Sequence, residues 1–89
     1  MSHTDPTPGT TAIKRSRVGN VTSGRLARRH QHLLDSVIGN GSRHLPTRNM
    51  HCMRAAELCV VEAELIRRGH LTQRQVMAMR AHAAQRVAQ

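Results

Sequence analysis

The chain has 89 residues and a formal net charge of +9, from 14 Lys and Arg against 5 Asp and Glu, and it contains no Phe, Tyr or Trp. That length allows one domain at most, and a core without aromatic rings must be built from Leu, Ile, Val, Met, Ala and Cys. The charge points to a polyanionic partner, and the most apolar segment, residues 55–66, carries Glu57, Glu62 and Glu64 and so cannot span a membrane.

The first 21 residues hold Pro6, Pro8, Gly9, Gly19 and a scatter of Thr and Ser. This is linker composition, and it predicts a flexible arm over residues 1–21 joined to a small helical domain over 22–89. The arm contains no apolar run of the signal-peptide kind, so a cytoplasmic location is expected. Its second half is basic, with Lys14, Arg15 and Arg17.

A first helix is predicted from about Gly24 to Ile38, with Thr22 or Ser23 as its cap. Leu26, His30, Leu33, Leu34 and Val37 recur at helical spacing, and Arg25, Arg28, Arg29 and His32 are assigned to the opposite face. Gly39, Asn40 and Gly41 should stop the helix with residues that accept positive φ. A second helix is predicted from about Arg48 to Arg68, capped by Thr47 after Pro46. It carries two apolar stripes: Cys52, Ala55, Ala56, Cys59, Val60, Ala63 and Ile66, and separately Leu58, Val61 and Leu65. A helix apolar on two sides should lie centrally, covered by neighbours. Arg54 with Glu57 and Glu64 with Arg68 stand at pairing distance along its surface.

Gly69 should end this helix, and Thr72 with Gln75 three residues later is a capping box for a third. The stripe of that helix is Val76, Met79, Ala83 and Val87. The helix–glycine–capping-box order predicts that the second and third helices form an antiparallel hairpin. The fold class is therefore all-α: a basic arm followed by three helices.

Between Pro6 and Leu34 there is no acidic residue and there are six basic ones: Lys14, Arg15, Arg17, Arg25, Arg28 and Arg29. Three of them crowd the first two turns of the first helix, where cations oppose the helix dipole. A bound phosphate would relieve that misfit. Thirteen of the 14 basic residues are Arg, which suits bidentate phosphate contacts, although an Arg-favouring codon bias gives the same ratio. Without aromatic residues, base stacking is restricted to Arg and His planes. Backbone contact to DNA or RNA fits better than single-strand stacking.

A helix-turn-helix is not expected. Leu71-Thr72-Gln73-Arg74-Gln75 resembles its opening, but too little chain follows for a second helix, and a turn at Gly69 puts Glu64, Arg68 and Gln75 at positions that should be apolar. Cys52 and Cys59 are seven residues apart, about 10.5 Å along a helix. That distance excludes a shared zinc ion or a bond between them, so both are expected to pack in the core. His30 is expected at a helix edge. No paired acids, activated cysteine or phosphate loop suggests catalysis, and neither a metal nor a cofactor is expected.

The expected function is that of a small nucleic-acid-associated accessory or regulatory protein, with Lys14, Arg15, Arg17, Arg25, Arg28 and Arg29 on phosphates. The competing expectation is an adaptor or inhibitor subunit whose Arg face docks on an acidic protein surface, in a larger complex or with a second copy. So small a core would draw stability from such a partner.

Overall fold

The computed structural model of the protein describes residues 11–39 and 48–88, which are mostly helical with no strand among them. Helix α1, Ser23–Leu33, begins where the Thr22 hydroxyl accepts the Arg25 amide at 3.3 Å. It runs on into a π-helical stretch, Leu34–Gly39. The helical region thus closes at Gly39, though without a left-handed φ at that residue. Asn40 and Gly41, together with the expected Pro46 and Thr47 start of the next helix, lie outside the described residues.

Helix α2, Arg48–Arg67, ends in a Schellman motif. The Gly69 amide donates to the Ile66 carbonyl at 2.9 Å and the His70 amide to the Leu65 carbonyl at 3.0 Å. Gly69 takes φ +81, the left-handed conformation that this motif demands and that a side chain disfavours. Helix α3, Gln73–Ala88, then opens with the capping box. The Thr72 amide donates to Gln75 Oε1 at 2.8 Å, and the Gln75 amide donates to Thr72 Oγ1 at 3.1 Å. Thr72→Ala should lower stability by about 1 kcal/mol, because it removes the acceptor for an otherwise unbonded amide in the first turn. Thermal melts followed by far-ultraviolet circular dichroism would register the loss.

The core joins Leu26, Leu33, Leu34, Leu58, Val61, Leu65 and Ala83, with Val37, Ile38, Leu71 and Met79 packed at its edge. One side of α2, carrying Leu58, Val61 and Leu65, packs on α1. Helix α3 packs mainly against the Leu34–Gly39 stretch, and it meets α2, its expected partner in an antiparallel hairpin, less extensively. Arg86 pairs with Asp35 across the first of these contacts, and Arg80 reaches Glu62 across the second. The second stripe of α2 is only partly covered: Ala55, Val60 and Ile66 are half-buried, and Arg80 of α3 reaches Cys59 Sγ at 3.8 Å. Cys52, Ala56, Cys59 and Ala63 are exposed there, which corrects the expectation of a helix covered on both sides and of cysteines in the core.

The expected flexible arm also needs correction over its second half. Residues 15–20 form a short 3-10 helix, Arg15–Asn20, that packs against α2. Ile13 is only 7 % exposed and belongs to the core, and Val18 and Val21 pack against it. In a core without aromatic rings, these three apolar side chains are worth recruiting. Arg68 ties the segment down, donating to the carbonyls of Val18 at 3.2 Å and Gly19 at 3.3 Å and to Ser23 Oγ at 3.0 Å. Residues 1–10, the remainder of the expected arm, lie outside the described part of the chain.

Candidate nucleic-acid interface

The described carboxylates are all engaged inside the protein, and this sorts the cations into two groups. Glu57 takes Arg29 in a bidentate pair, Nε to Oε2 and Nη2 to Oε1, both at 2.7 Å. Its Oε2 also accepts the Ile13 amide at 2.9 Å, and Arg54 approaches Oε1 at 3.4 Å. Burial raises the Glu57 pKa, but the hydrogen bonds from Arg29 and Ile13 outweigh it and hold the carboxyl below its ordinary value. Glu64 accepts Arg67 Nη2 at 2.6 Å and Arg68 Nε at 2.7 Å, which together bring its pKa down to about 2. Glu62 accepts Arg80 Nη2 at 2.6 Å and lies 3.0 Å from His30 Nε2.

Among the residues whose side chains are described, the Lys and Arg that remain without a carboxylate partner are Lys14, Arg15, Arg17, Arg25, Arg28 and Arg74. All but Arg74 fall between residues 14 and 28: Lys14 just before the 3-10 helix, Arg15 and Arg17 on it, and Arg25 and Arg28 in the first turns of α1. Lys14, Arg15, Arg17 and Arg28 are exposed, and Arg25 is half-buried. Arg28 folds back over the first turn of α1, its Nη1 3.9 Å from where a side chain on Gly24 would begin. The first amides of that helix have no carbonyl one turn earlier to bond. Positive charge therefore accumulates at the positive end of the helix, which costs stability unless an anion is present.

Arg29 does not belong to this group. Its side chain is fully buried and bound to Glu57, which removes it from the expected phosphate-binding set. The reason is geometric: position 29 follows Leu26 by three residues and precedes Leu33 by four, so it lies on the buried face of α1 and not opposite it. His30, expected at a helix edge, is 1 % exposed and meets Glu62. The His30–Glu62–Arg80 contact links α1, α2 and α3, and no local motif announces it. His32, on the same helix, is held below the usual imidazole range by burial and then by the nearby Arg29 and Arg54.

Lys14, Arg17 and Arg25 line a cleft of about 290 Å³ with Ala12, Ile13 and Val21. The Nε of Arg25, one of the lining residues, is buried and has no acceptor. Among the described residues no group of three His, Cys, Asp or Glu could hold a metal ion, and no helix is long and apolar enough to cross a membrane. Set against protein-family models, curated proteins and solved structures, the chain matches none.

Proposed function

We propose that this is a small non-enzymatic accessory or regulatory protein that acts in the cytoplasm by binding the phosphate backbone of DNA or RNA. Lys14, Arg15, Arg17, Arg25 and Arg28 are its contact residues. The observation that carries the proposal is the sorting of charge. Elsewhere in the described chain nearly every Arg has a carboxylate partner, whereas the segment from 14 to 28 holds five cations without one. Their arrangement on one continuous stretch of chain suits a polymer of evenly spaced negative charges.

The test is a binding titration of a DNA duplex at several salt concentrations. Replacing these five residues with Gln should weaken binding to all sequences alike. It should also flatten the dependence of log K on log salt by about 0.9 for each phosphate that is no longer neutralised. Arg74→Gln should leave the slope unchanged. Melts of the same variants should show no loss of stability, since none of the five is bonded to a carboxylate. A folded five-residue variant with the original slope, or no binding by the unaltered protein at low salt, would overturn the proposal.

One observation favours a second reading, an adaptor subunit that docks its Arg face on an acidic protein. The partly covered side of α2 is apolar, and Met53 and Met77, at 70 % and 58 % exposure, stand out from α2 and α3. Surfaces of that kind suit protein contacts. Saturable binding to an acidic protein with no affinity for duplex would favour this alternative.

A further inference from the structure

We infer that the cleft between Ala12–Lys14 and the first turn of α1 is a seat for a single tetrahedral phosphate group, held by Lys14, Arg17 and Arg25. The inference rests on the phosphate-binding reading above and narrows it to one site. Three cations face one small cleft with no carboxylate among its lining residues. Ile13 and Val21 form apolar walls, so attraction to an anion is less screened there than on the open surface. Glu57, which bonds the Ile13 amide, is already taken up by Arg29.

Arg25 gives the strongest indication. A buried N–H without an acceptor is costly, and such groups are rare in folded proteins. Here the unbonded group is the Nε of a half-buried guanidinium that lines the cleft. Rotation of the Arg25 side chain into the cleft would present Nε and one Nη together to a phosphate taken side-on, the bidentate geometry that guanidinium favours, and would give the buried N–H its acceptor. Each phosphate oxygen accepts more than one hydrogen bond, so Lys14 and Arg17 can share the same oxygens. The phosphate can come from a nucleic-acid backbone or from a free phosphate, and the two are separable by experiment.

Arginine Nε–H signals would be followed by NMR on the full chain at low salt, first with inorganic phosphate and then with a DNA duplex. Both titrations should move the Arg25 signal to saturation while the Arg74 signal stays in place. Arg25→Lys keeps the charge but loses the side-on fork, and it should weaken phosphate binding about tenfold while the melting temperature holds. Movement with phosphate but no duplex binding at any salt would keep the seat, assign it to free phosphate and defeat the nucleic-acid reading. Duplex binding with an unmoved Arg25 signal and an unaltered Arg25→Lys variant would overturn the seat and spare that reading. If neither ligand moves the signal or binds, both fall.

Discussion

Glu57→Ala is expected to destabilise the protein by about 3–5 kcal/mol, the usual consequence of leaving a buried charge without its partner. Arg29 would then be fully buried with its two best acceptors gone, and the Ile13 amide would lose its acceptor as well. Replacing both partners, as in Arg29→Met with Glu57→Leu, should restore much of the stability, because apolar groups need no pairing. Urea unfolding followed by circular dichroism measures both variants. A Glu57→Ala protein as stable as the original would show that the pair contributes nothing. The same carboxylate predicts acid sensitivity. Its folded-state pKa lies below the ordinary 4.5, so its contribution is complete above that pH. The contribution disappears as pH falls from there through the lowered value, and Glu64, at about 2, follows the same sign.

Ile13→Ala should cost about 2–5 kcal/mol, nearer the lower figure because the side chain keeps some exposure. The effect separates a flexible arm from a docked one. On a free arm the substitution would be silent, since the side chain would have no packing to give up. In the docked arrangement it leaves a cavity in the core cluster and loosens the segment that carries Lys14 and Arg17. Phosphate affinity should therefore fall along with stability. An unchanged unfolding midpoint would place Ile13 outside the core.

Much of the candidate surface is legible from charge alone. Lys14, Arg15, Arg17, Arg25 and Arg28 stand in a run of sequence without acids, and the structure leaves each of them without a carboxylate partner. Charge alone also puts Arg29 in that group, and there it misleads. The spacing of Arg29 from Leu26 and Leu33 is the signal that would have set it apart, but its partner lies 28 residues away on another helix. His30 is hidden for the same reason, since Glu62 is 32 residues distant.

Features that depend on neighbours a few residues away can be read from the amino-acid order. The all-α class, the Thr22 cap, the Gly69 turn, the Thr72–Gln75 box and the Glu64–Arg68 pair are all settled by hydrogen bonds within one or two turns. The buried faces carrying Leu26 and Leu33, and Leu58, Val61 and Leu65, follow from helical period. Four outcomes required the assembled chain: which of the two stripes of α2 is more deeply buried, that α3 packs on the Leu34–Gly39 stretch, that Ile13 enters the core, and that Arg29 is structural. They turn on competition between distant surfaces for a small amount of apolar area and a few carboxylates. Local spacing ranks the competitors on a single helix, whereas folding brings together pairs that no spacing connects.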